Sequence, residues 1–179
     1  MNRFQAIVTV VVLVLAPCAE PLQAAEVWTG PRISFSKAAG ADPTLESNQD
    51  RITSNVWITR SDNMGLFNAK SETGYVFDYS PADTEWSYGT TADLGSLTFL
   101  NWRGAVGSNP PTSLGQDMVL HLISDDIYLD IKFLSWGVEP PSGGYFSYER
   151  STPIPEPATA GLVLLGLSLI CPILSRRLR

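Results

Sequence analysis

Asp83 and Glu85 stand two residues apart in "SPADTEW", and Asp125, Asp126 and Asp130 gather along "SDDIYLD". Carboxylates in pairs can divide the work of general acid and base or nucleophile at a glycosidic bond, so a small carbohydrate-active hydrolase is one reading of these residues. Trp86 and Tyr88 follow Asp83 and Glu85 directly, and a ring beside planar polar groups also suits plain sugar binding. Trp102, between Asn101 and Arg103, is a second constellation of that kind. Asp83, Glu85 and Trp86 are thus the candidate glycan-binding residues, while acidic residues in turns more commonly serve turn hydrogen bonds and solubility than catalysis.

A different chemistry is suggested by "DPTLESNQDRITSN", an oxygen-rich stretch with Asp42, Glu46, Asn48, Asp50 and Asn55. Carboxylate and amide oxygens of this kind wrap hard cations, and Asp42, Asn48 and Asp50 are the candidate calcium ligands, although the EF-hand order is missing. The sole histidine, His121, lies between Leu120 and Leu122 in a strand-like run, with no G-x-S-x-G turn to supply a partnered serine. The cysteines, Cys18 and Cys171, both fall in apolar end segments, so residues 26–152 hold neither a disulfide nor a cysteine zinc site.

These residues need a scaffold, and its pattern is that of strands. Ile33–Ser36, Asn55–Thr59, Tyr75–Phe77, Leu97–Phe99 and Val119–Ile123 are rich in β-favouring side chains, separated by turn-formers at Asp62–Gly65, Ser80–Asp83 and Gly107–Pro111. Regular spacing predicts an all-β, antiparallel β-sandwich, jelly-roll-like in preference to immunoglobulin-like. In "HLISDDIYLDIKFLSW", a turn at Ser124–Asp126 sends Ile127, Leu129, Ile131 and Phe133 to one face and Tyr128, Asp130 and Lys132 to the other. Leu134 and Trp136 interrupt the polar set and predict cover on both sides at the far end of that strand. A last strand is expected at Tyr145–Tyr148.

The two ends carry the excess apolar residues of a chain that is 44% hydrophobic and 17% charged. Residues 1–25, with Arg3, an unbroken apolar run from Ala6 to Ala16 and small residues at Ala24 and Ala25, read as a signal peptide that implies passage through the Sec translocon. Residues 158–174 form an apolar stretch at the short limit for a transmembrane helix, followed by Arg176, Arg177 and Arg179. The bias of basic residues toward the cytoplasm places that tip inside and residues 26–152 outside the inner membrane. That middle region sets eight Lys and Arg against sixteen Asp and Glu. So acidic a surface gains nothing from counterion release and disfavours nucleic acid as a partner.

Pro155-Glu156-Pro157, then Ala158-Thr159, a Gly- and Leu-rich span and a terminal arginine cluster, together resemble the PEP-CTERM sorting signal of Gram-negative exported proteins. The resemblance covers residues 153–179. It implies recognition of Pro155, Glu156 and Pro157 by an exosortase and removal of the tail on the way to the cell surface or extracellular matrix. It also implies an association with exopolysaccharide, because the family is often encoded beside exopolysaccharide genes. The expected function is a non-catalytic, exported β-sandwich that binds or organises exopolysaccharide, with calcium as a possible cofactor. The hydrolase and an inert matrix component are the alternatives.

Overall fold

The alternation after Ser124 folds as a hairpin: β7 (Met118–Leu122) pairs antiparallel with β8 (Ile127–Trp136), Leu120 opposite Leu129 and His121 opposite Tyr128. Asp126, at φ +50°, takes the left-handed turn position that short polar side chains tolerate. Ile127, Leu129, Ile131 and Phe133 are buried, whereas Tyr128, Asp130 and Lys132 lie on the half-exposed face. Beyond Phe133 the pairing with β9 (Phe146–Arg150) shifts register. Alternation leaves Leu134 outward, 52% exposed, and the bulge brings Trp136 back to the buried face. The expectation that the strand's end is covered on both sides is therefore corrected at Leu134.

The computed structural model describes residues 25–138 and 143–155. In it, β6 (Thr84–Tyr88), β7, β8, β9 and β2 (Ile33–Lys37) form one antiparallel sheet in the order β2-β9-β8-β7-β6, joined by β1 (Glu26–Trp28), which runs parallel to the start of β8. A second, three-stranded sheet contains β3 (Asp50–Arg51), β4 (Trp57–Arg60) and β5 (Leu66–Asn68). The chain is thus mostly β, with one short α-helix, α1 (Trp102–Ala105), and three 3-10 turns among the described residues. From β6 to β9 neighbours in sequence are neighbours in space, a meander, whereas a jelly roll passes its strands between sheets. Tyr75–Phe77 and Leu97–Phe99, read as strands from their aromatic and branched residues, are irregular, and Leu100 makes a single bridge to Trp86.

Both sheets contribute to one core. Ile58 and Leu66 of the small sheet pack with Trp86, Leu120, Leu129, Phe133 and Tyr148 of the large one. Its centre is aromatic: the Trp102 ring lies 4.8 Å from Trp86, 5.0 Å from Phe133 and 5.8 Å from Trp136, centroid to centroid, in tilted or edge-on contacts. A buried ion pair also joins the sheets. Arg150 donates from Nε and Nη2 to the two oxygens of Asp50, at 2.6 and 2.9 Å, and the Tyr148 hydroxyl donates to the same carboxylate at 2.7 Å. Burial pushes the Tyr148 hydroxyl well above its ordinary pKa. Burial alone would lower Arg150, but the hydrogen bond and charge of Asp50 outweigh it and raise the guanidinium.

The chain leaves this core through a docked strap. Ser151 N–H donates to Asp130 O, Gly30 N–H to Thr152 O and Thr152 Oγ1 to Pro31 O. A Cβ at Gly30 would stand 2.4 Å from Pro153 O, so only glycine permits this backbone contact. Ile154 and Pro155 beyond it are exposed. Among the described residues no helix is long and apolar enough to cross a membrane. The predicted span 158–174, the arginines at 176, 177 and 179, Glu156, Pro157 and the signal peptide up to residue 24 lie outside the described residues.

Candidate functional site

An open cleft of about 350 Å³ lies where the turn after β4, the loop after β5, α1 and the end of β8 meet. Tyr75, Phe77, Trp102 and Trp136 give it aromatic walls, and Arg60, Asn63, Arg103 and Asn109 give it polar groups. The mixture of apolar rings with a few convergent polar groups is the usual make-up of a binding pocket.

Arg60 closes β4 and is 3% exposed. Its Nε donates to Met64 O at 2.6 Å, its Nη1 to Tyr145 O at 3.1 Å, and its guanidinium lies 3.8 Å from the Trp136 ring centroid. Among the described residues no carboxylate pairs with it. Burial pulls its pKa down to about 10, which leaves it a cation at neutral pH. The turn that returns from β4 to β5 contains Gly65, where a Cβ would stand 2.5 Å from the Tyr75 ring, so the ring lies against bare backbone.

The loop bearing Tyr75 and Phe77 is anchored at both ends. The Glu72 carboxylate accepts from Asn68 N–H and Ala82 N–H, at 2.7 and 2.8 Å, and from the Ser80 hydroxyl, whose oxygen in turn accepts from Val76 N–H. On the opposite side Asn101 caps α1 by accepting from Gly104 N–H, and its side-chain amide donates to Asp78 O. Arg103 pairs with the Asp78 carboxylate and covers the Phe77 ring at 3.8 Å. Phe77 is nevertheless 62% exposed, and Tyr75 meets it edge-on at 6.4 Å. Burial, more than the opposing influence of Arg103, pushes the Tyr75 hydroxyl up. The Trp102 Nε1–H is buried with no acceptor among the described residues.

The candidates chosen from sequence are dispersed. Trp86 is fully buried, its Nε1–H donating to Thr84 Oγ1, and is a core residue in place of the exposed ring a sugar would need. Strand alternation sends Glu85 to the other face of the sheet, where its carboxylate is 3.5 Å from His121 Nδ1. Asp83, in a left-handed turn at φ +64°, accepts from both the N–H and the hydroxyl of Ser124. Asp125 holds Thr53 and Asn55, Asp130 accepts from Thr91 N–H, and Asp126 stands 3.5 Å from His121 Nε2. Asp83 and Asp125 each tie one loop to another, and Asp130 holds the segment after β6 to β8. His121 stacks on Tyr128 at 4.1 Å, on the face opposite Leu120 and Leu122.

Of the calcium candidates, Asp42 and Asn48 come together: the Asn48 amide donates to Asp42 O, while the Asp42 carboxylate accepts from the N–H and hydroxyl of Thr44, which hold it below the usual carboxylate range. Asp50 is elsewhere engaged, buried against Arg150 and Tyr148, so the three do not form one ligand set. Among the described residues no group of three or more His, Cys, Asp and Glu side chains could hold a metal. From sequence, Trp102 with Asn101 and Arg103 suits a sugar site, whereas the ring pair Tyr75 and Phe77 reads as strand. Arg60 and its partner Trp136 carried no local signal, since distant segments bring them together.

Comparison with curated proteins and with solved structures gives no match to this chain. Residues 153–179 match the family model of the PEP-CTERM protein-sorting motif, beginning at the proline that docks on Gly30. The chain therefore carries, behind a two-sheet β domain, the sorting tail of an exported, membrane-anchored precursor that an exosortase processes.

Proposed function

We propose that the exported domain binds extracellular polysaccharide in the aromatic cleft, as a non-catalytic protein of the cell surface or matrix. The observation that carries this reading is the exposed Phe77 ring, clamped beneath Arg103 and set beside Tyr75, Trp136 and Asn63. Sugar rings offer C–H faces that pack on aromatic faces and hydroxyls that meet guanidinium and amide groups. A glycosidase requires paired carboxylates flanking the bond, and among the described residues no acidic side chain lines the cleft. The sorting tail supports the address, with residues 1–25 as the leader and residues 26–152 outside the inner membrane. The short exposed run from Ile154 into the motif supports presentation of Pro155, Glu156 and Pro157 to the exosortase close to the folded surface.

The test is affinity electrophoresis of the detergent-solubilised full chain through gels containing bacterial exopolysaccharides. Retardation that Phe77→Ala abolishes, with an unchanged melting temperature, is the expected result. Retardation insensitive to Phe77→Ala, or none on any polysaccharide, would refute the proposal.

A further inference from the structure

The charge of the cleft opposes that of the domain around it. Residues 26–152 hold twice as many Asp and Glu as Lys and Arg, yet among the described residues the charged side chains lining the cleft are two arginines, Arg60 and Arg103. Arg103 has a counter-ion in Asp78 at the exposed rim. Arg60 has none among the described residues: two backbone carbonyls satisfy Nε and Nη1, and Trp136 shields one guanidinium face. Carbonyl dipoles hold a guanidinium in place but do not neutralise it, and a buried cation without a counter-charge costs free energy that an arriving anion recovers.

Resting on the glycan reading above, we infer that the cleft selects acidic polysaccharide, with the carboxylate of a uronic acid residue meeting Arg60 above Trp136 while the sugar face packs on the exposed Phe77 ring. A planar carboxylate suits the guanidinium fork, and the low-dielectric aromatic walls strengthen that contact relative to water. The acidic remainder of the domain repels a polyanion, so the chain is drawn to this cleft and not spread over the surface. Arg103 at the rim adds a second, weaker attraction already shared with Asp78.

The experiment measures binding of the full chain, in detergent, to oligomers of galacturonate, mannuronate and glucuronate, and to the same oligomers after reduction of their carboxyl groups to alcohols. A sulfated neutral glycan serves as the control for charge without a carboxylate. The expected result is about tenfold or greater loss of affinity on carboxyl reduction, with binding that weakens as salt rises. Arg103→Gln, at the exposed rim, is expected to weaken uronate binding by less than the reduction does. Arg60→Met, which keeps the packing on Trp136, is expected to bind uronate and reduced oligomers alike; should it fail to fold, the reduction series decides by itself. Equal affinity for the uronate and its reduced form, both sensitive to Phe77→Ala, would overturn the acidic selectivity and leave glycan binding standing. Sulfated glycan bound as tightly as uronate would overturn the carboxylate assignment. No binding to any oligomer would overturn both readings.

Discussion

Replacing Asp50 by Asn keeps the shape of the side chain but removes the charge that both sheets share. Asp50 and Arg150 have side chains 8% and 6% exposed, so neither solvent nor salt screens the pair appreciably. The substitution leaves Arg150 buried without its counter-ion, turns one of two charge-assisted acceptor oxygens into an amide nitrogen that only donates, and weakens the bond from Tyr148. Removing one partner of such a pair costs about 3–5 kcal/mol, and for a domain of this size that corresponds to a fall in melting temperature of roughly 10–20 °C. Urea and thermal unfolding followed by near-ultraviolet circular dichroism of the aromatic core would measure it. Because the cost lies in stranding a charge, the double variant Asp50→Asn, Arg150→Met should recover part of the loss. A loss below about 1 kcal/mol, or a double variant no better than the sum of its parts, would refute the claim that this pair holds the two sheets together.

The same cluster predicts a response to alkali. The Tyr148 hydroxyl is raised in the fold, so its contribution is complete below the ordinary tyrosine pKa of about 10 and is lost as pH climbs above it, when the unfolded chain ionises first; stability measured from pH 8 to 11 should fall more steeply in the wild type than in Tyr148→Phe. Gly30→Val should push Pro153 off the domain, since its Cβ meets backbone at 2.4 Å, and limited proteolysis should cut near Ile154 faster while the β core stays protected. Chelation should leave the melting temperature unchanged, because Asp50 is committed to Arg150 and Asp42 to Thr44; a chelator-sensitive melting curve would show a cation that this arrangement does not provide for.

The parts of the fold that could be read in the sequence were those with local causes. The β7–β8 hairpin follows from alternation around Ser124–Asp126, and β2 and β9 from short alternating runs. Where charge and rings shared one stretch, chemistry was read in place of structure: Thr84 and Trp86 alternate with Glu85 and Ser87 as a strand should, and Trp86 fills the core. The reverse occurred at Tyr75–Phe77, where aromatic density suggested a strand but the rings serve a cleft. Asp50 shared its loop with Asp42 and Asn48, and nothing nearby announced that Arg150, from the last strand, would claim it. Arg60 over Trp136 and Gly30 under Pro153 were equally hidden, because each depends on a contact between segments far apart in the chain. The sorting tail was legible outright, since its motif, apolar stretch and arginines are contiguous.

Occupation of the cleft can be observed directly through the tryptophan indole N–H resonances of the 15N-labelled chain during titration with oligogalacturonate. Trp136 lines the cleft beneath Arg60, whereas Trp57, stacked with Arg51 and near Lys70, is not among the residues that line it. The account predicts a saturable shift of the Trp136 resonance with Trp57 unmoved, abolished by Phe77→Ala. Binding that shifts Trp57 and leaves Trp136 in place would contradict it.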